Sequence, residues 1–173
     1  MRQTANMRQG EKGWMMVMER AIAGMYWSFL IIAAVQDYRR KQIDLWVFVA
    51  FGLLLAGAKG YLWFVSEEKF SWADTAAGIG TGAVLLGLSA VSRGGVGMGD
   101  GGFFCVSGLA LGFRRNFTLF GISILMCGVW SLFLLTKTRI SGQIYYGGLR
   151  NKTVPFIPFV LAASVCLEIG GNL

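Results

Sequence analysis

The stretch Gly94-Gly95-Val96-Gly97-Met98-Gly99-Asp100-Gly101-Gly102 sets six glycines around one carboxylate, where one apolar run has ended and another begins. Two readings compete for it. Gly97 to Gly102 satisfies G-x-G-x-x-G, which in a dinucleotide site follows a strand, opens a helix within a βαβ unit and precedes an acid about twenty residues on. Here the flanks are long apolar blocks and none of those companions appears. The other reading is the start of a membrane helix. A carboxylate at a membrane boundary is costly unless paired, hydrated or used, so it marks a functional site. The glycines remove side chains and let another backbone approach the acid closely. On this reading the chain is an all-α integral membrane protein and Asp100 is its first candidate for chemistry.

Outward from that stretch the pattern repeats. Of 173 residues, 55% are hydrophobic and 14% charged, against roughly 25% charge in a soluble domain. The apolar residues fall in six blocks, at about 15–36, 45–65, 73–91, 96–113, 117–135 and 154–169. Crossing a bilayer takes roughly 17–25 residues. The fourth block reaches that length only from Val96, which places Asp100 about one turn inside its helix; the sixth is short. The loops are short, so neighbouring helices should pack antiparallel in a bundle of about six. Residues 1–20 mix Arg2, Arg8, Lys12 and Arg20 with Trp14 and Met15 and read as a polar, interfacial segment ahead of a membrane domain at 21–173. A basic start before an apolar run also mimics a signal peptide, but this block continues to Asp37. Lys59, near the end of the second block, can snorkel to the headgroups.

The net charge of +7 lies in short Lys/Arg clusters between the blocks, a placement that suits lipid headgroups and topology and not a nucleic-acid face. With no histidine, Ser-His-Asp and Cys-His catalysis are excluded along with the commonest metal ligand. Cys105, Cys127 and Cys166 are scattered in apolar runs without CxxC spacing and read as small buried hydrophobes. Neither a metal nor a cofactor is expected. Two N-x-T triplets, at Asn116 and Asn151, are short, weak matches to a glycosylation signal.

The first block ends in Gln36-Asp37-Tyr38-Arg39-Arg40-Lys41. From Asp37 the chain crosses twice before reaching Asp100, so both acids lie at the same face of the bilayer. Two carboxylates brought together at low dielectric do not both ionise easily and tend to share one proton. That is the aspartic-protease arrangement, in which one takes a proton from water and the other polarises the scissile carbonyl. The plainer reading leaves each acid interfacial, Asp37 pairing with its basic neighbours. Asp44 before Leu45 reads as a helix N-cap, Asp74 as the start of the third helix, Glu67 and Glu68 as a polar loop, and Glu168 as the end of the last helix.

These residues, in order, resemble the type IV prepilin peptidases, GxGD aspartyl proteases of the membrane. The resemblance rests on Asp37 with its basic followers, on Gly97-Met98-Gly99-Asp100 and on Val154-Pro155-Phe156-Ile157-Pro158-Phe159, and it covers roughly residues 20–169. It implies removal of a short basic leader from prepilin-like proteins at the cytoplasmic face of a prokaryotic plasma membrane, usually after a glycine. Asp37 and Asp100 match the catalytic pair; Gly97, Gly99, Gly101, Gly102, Pro155 and Pro158 would shape the site or bind substrate. The implied partners are a prepilin-like substrate and membrane lipid, with no nucleic acid. Charge counting alone decides nothing, with eight Lys/Arg on the Asp37 side against seven opposite, and leans to the same orientation, eight to three, only when the N-terminal segment is set aside.

Three departures stand out. Gly102 occupies a position where many members carry Lys, the basic loop reads Ile43-Asp44-Leu45 in place of Ile-Pro-Asn, and no four-cysteine segment occurs. The chain therefore looks like the short form that serves tight-adherence pilins or archaeal-type preflagellins, with no N-methylation assumed. Two other classes compete: a small transporter or channel subunit using the two acids for cations or protons, and an inactive homologue acting in pilus assembly. Neither an inverted repeat nor midplane acids support the transporter.

Overall fold

The computed structural model describes residues 2–40, 42–65, 71–92, 97–140 and 155–171. Glu67, Glu68, Lys69, Gly94, Gly95, Val96, Asn151 and Val154, and most of the loop at 136–153, lie outside them. The described residues form six helices and no strand: α1 (Arg2–Arg40), α2 (Leu45–Val65), α3 (Trp72–Val91), α4 (Met98–Leu111), α5 (Phe113–Ile140) and α6 (Ile157–Ile169). Four contain stretches long and apolar enough to cross a membrane, at Met16–Arg40, Leu45–Phe64, Trp72–Val91 and Phe113–Lys137. The outward surface suits hydrocarbon: Phe64 is 85% exposed and Val91 82%, a load of bare apolar surface that water does not favour.

Two expectations meet a difference. The polar N-terminal stretch is continuous with the first apolar block in one 39-residue helix, because no proline interrupts it and Met, Ala, Arg and Glu all favour helix. The fourth helix begins at Met98 and is short at 14 residues; the sixth, as expected, is short too, at 13, and each is about 20 Å long at 1.5 Å per residue. Gly97 caps the start of α4, and Gly112, at φ +78°, ends it in a conformation that L side chains rarely adopt.

The α3–α4 pair is the tightest seam. A Cβ on Gly108 would run into the Gly78 carbonyl oxygen, one on Gly82 into the Cys105 backbone nitrogen, and one on Gly101 would meet the Leu86 backbone nitrogen at 2.9 Å. The partners rise along one helix as they fall along the other, so the helices are antiparallel and their backbones touch. Small residues give this close approach, which replaces the missing hydrophobic drive between helices in lipid. Asn116 at the start of α5 closes the seam from the side. Its fully buried amide donates to the carbonyls of Gly78 and Phe104, 3.1 Å each, and its carbonyl oxygen accepts from the Ser107 hydroxyl. The Asn116 triplet is thus a buried joint and not a modification site.

An aromatic core lies between the helices. Phe29 of α1 stacks on Phe103 of α4 with ring centres 5.1 Å apart, and Phe48 and Phe51 of α2 close around it. Phe104 links this group to Phe120 of α5 and Phe156 at the start of α6.

Candidate active site

Because the helices alternate in direction, the end of α1, the end of α3 and the beginnings of α2, α4 and α6 meet at one end of the bundle. Asp37 stands one turn before the end of α1, and Asp100 is the third residue of α4. Both are half-buried. The two carboxylates thus lie at the same end of the bundle, as parity of the crossings required. Gly101 packs at the level of Leu86, five residues short of the end of α3 at Val91. Asp100, one residue nearer that helix end than Gly101, is therefore recessed by about 6 Å below it, at 1.5 Å per residue.

Each acid is set by a helix start. The Ile157 backbone N–H, the first of α6, donates to Asp37 Oδ2 at 2.9 Å, and the Phe156 backbone lies against the same carboxylate. Asp100 sits in the first turn of its own helix, its backbone N–H donating to the Gly97 carbonyl at 3.2 Å. Helix starts carry unpaired N–H groups and the positive end of the macrodipole, so two of them converging here favour negative charge where two acids would otherwise oppose each other.

The glycines expected to shape the site divide by neighbour. A Cβ on Gly97 would stand 2.9 Å from Asp100 Oδ2, so this position leaves space for the carboxylate itself. Gly99 faces Ile43 at 3.9 Å and Gly102 faces the Phe48 ring at 3.4 Å, so the α1–α2 connection and α2 cover that side of α4. Gly101 belongs to the α3 seam: its missing side chain makes room for Leu86 and not for a ligand. Pro155 precedes α6, and Pro158 is its second residue, where a missing N–H costs nothing.

A clasp beside the acids was not foreseen. Gln36 Nε2 donates to the Asp44 carboxylate, the Asp44 N–H donates back to Gln36 Oε1, both at 3.2 Å, and Arg40 pairs with the same carboxylate at 3.7 Å. Asp44 does precede α2, and its carbonyl accepts the Val47 N–H, but its carboxylate is turned to α1. The Gln36 bonds fold the α1–α2 connection over the site and carry Ile43 onto Gly99. Among the described residues no three His, Cys, Asp or Glu side chains gather as a metal site requires.

Comparison with known proteins adds a family. The profile described as the type IV leader peptidase family matches residues 24–132, which include both acids. The chain is 26% identical over 151 residues to the prepilin leader peptidase/N-methyltransferase of Bacillus subtilis (strain 168), an alignment covering 87% of this chain and 56% of that protein. The chain thus spans about half the length of this curated relative. No solved structure matches it.

Proposed function

From the premise that the chain belongs to the type IV leader peptidase family, we propose that it is a membrane-embedded aspartyl endopeptidase that removes a short basic leader from prepilin-like proteins. The observation that carries the reading is the meeting of Asp37 and Asp100 at one end of the bundle, each at a helix start. One carboxylate takes a proton from water while the other, protonated, donates to the scissile carbonyl oxygen. The water oxygen bonds to the carbonyl carbon, giving a tetrahedral diol. Collapse of the diol breaks the C–N bond, and the leaving nitrogen takes up a proton, so the products are a carboxylate and a free amine. The aromatic floor of Phe29, Phe103 and Phe48 keeps bulk water from reaching the pair from below.

A scissile bond must leave its helix to be attacked, since a helical backbone is hydrogen-bonded and shielded. The junction between a basic leader and the apolar helix of a prepilin supplies such a bond at the membrane surface. The exposed Gly97 and Met98 mark the open side of the site, and the basic end of α1, Arg39 and Arg40, favours placing it in the cytoplasm. Because Arg40 and Gln36 already engage Asp44, a basic leader would draw on anionic headgroups before that carboxylate. N-methylation is left out of the proposal.

Co-expression with a prepilin from the same genome tests the reading. Mass measurement should show a shortened pilin with the leader removed at a single bond. Intact prepilin with every candidate from that genome, in cells where the chain is inserted in the membrane, would displace the peptidase in favour of the transporter or inactive-homologue readings.

A further inference from the structure

The family profile ends before α6, yet the hydrogen bond that holds Asp37 comes from α6. We infer that the start of α6, through the Ile157 backbone N–H, is a positioning element that fixes the Asp37 carboxylate for hydrolysis; this rests on the two-carboxylate reading above.

An aspartate's terminal torsion is broad, so the carboxylate of Asp37 needs a partner to hold one orientation. The donor it meets is rigid. Ile157 is fully buried in the core, and the N–H groups of Phe159 and Val160 both bond to the Phe156 carbonyl, closing the first turn around it. Pro158 offers no N–H and fixes its own φ, and Pro155 stiffens the approach. A second tie sets the register of the two helices: the Tyr26 hydroxyl of α1 and the Ser164 hydroxyl of α6, both buried, are 3.2 Å apart. The pair of contacts, three turns apart along α1, leaves Asp37 little freedom to slide or rotate.

The bond also distinguishes the two carboxylate oxygens. Oδ2 accepts an N–H and is a poor seat for a proton, which would face the amide hydrogen. On this inference Oδ1, which does not receive the Ile157 N–H, is the oxygen that takes the proton from water. Ile157 acts through Asp37 and not on the substrate, so its loss should lower turnover and leave substrate affinity alone.

Replacing Ile157 with its α-hydroxy acid during cell-free synthesis into liposomes changes one N–H to an ester oxygen and keeps the side chain. The same change at Phe159 removes an ordinary first-turn hydrogen bond of α6 and serves as the control for helix damage. With a purified prepilin, the ester at 157 should lower kcat about tenfold, the low end of what a charge-assisted bond contributes, with KM within about twofold of the unmodified chain. The ester at 159 should stay within about twofold in both. Pro158→Gly, which loosens the α6 start while keeping the Ile157 N–H, gives a second arm and should lower kcat about threefold at unchanged KM. Equal effects of the two esters, or unchanged kcat for the 157 ester, would reduce α6 to a packing helix; where the 157 ester does not insert, unchanged kcat for Pro158→Gly does the same. Failure of the aspartyl reading has a separate signature, since Asp37→Asn would then cleave normally.

Discussion

The Asp74 carboxylate on α3 accepts the backbone N–H of Phe113, the first residue of α5, at 3.3 Å, and so repeats at the far end of the bundle what Asp37 does for Ile157. Two acids on two helices each receive the first N–H of a third. At the far end the arrangement is structural: Ser71 caps α3, its hydroxyl accepting the Asp74 N–H at 3.2 Å, and Gly112 gives way to the Asp74 side chain. At the near end a second acid, Asp100, lies at the same end of the bundle as the first, and the proposed chemistry draws on that pair.

Asp74→Ala should therefore cost stability and spare catalysis. Loss of a helix cap costs about 1 kcal/mol, read as a lower melting temperature in detergent, while kcat and KM for leader cleavage remain at their original values. A drop in kcat at full membrane level would mean that the far end of the bundle is coupled to the site.

Gly97→Ala and Gly101→Ala should fail in different ways. At Gly97 the backbone, φ −65° and ψ 127°, admits any residue, and the new methyl group crowds the Asp100 carboxylate; cleavage should fall several-fold while the fold keeps its stability. At Gly101 the methyl group meets the Leu86 backbone, and overpacking of this kind costs about 1–3 kcal/mol. Gly57→Ala, with nothing within 4 Å, should change neither. Comparing melting and cleavage across the three variants separates the seam from the site.

Asn116→Leu should destabilise the chain by about 1–3 kcal/mol, since it leaves the Gly78 and Phe104 carbonyls and the Ser107 hydroxyl short of a buried partner. Asn116→Asp keeps the acceptor for Ser107 and loses the two donated bonds, so it should also melt early. Urea or thermal unfolding in micelles reads both. Unchanged stability for Asn116→Leu would mean that the amide's partners find others readily, as transmembrane polar groups sometimes do.

Much of this was legible in the sequence because hydropathy reports which segments lie in lipid. The second block, 45–65, coincides with α2, and the count of crossings between Asp37 and Asp100 put them at one end before any coordinate. The start of α1 was not legible, since nothing in residues 1–20 breaks a helix. The division of labour among Gly97, Gly99, Gly101 and Gly102 was equally hidden: the same absent side chain serves an acid, a loop, a helix and a ring, and only the register of α4 against its neighbours decides which. The Asp37–Ile157 bond joins residues 120 apart in the chain, and apolar blocks carry no information on helix register. A signal did exist for Asn116. A polar amide at the edge of an apolar block calls for partners, and the N-x-T triplet, a weak match to a glycosylation signal, says nothing of them.

If Asp37 and Asp100 act as one unit, leader cleavage by Asp37→Asn, Asp100→Asn and the double variant will show it. At matched membrane levels, each single variant should lose leader cleavage by at least about a hundredfold, the scale of general acid–base catalysis. The double variant should be no worse than either, because residues that work as a unit are not additive. Normal cleavage by either single variant, or losses that multiply in the double, would contradict a shared two-carboxylate mechanism.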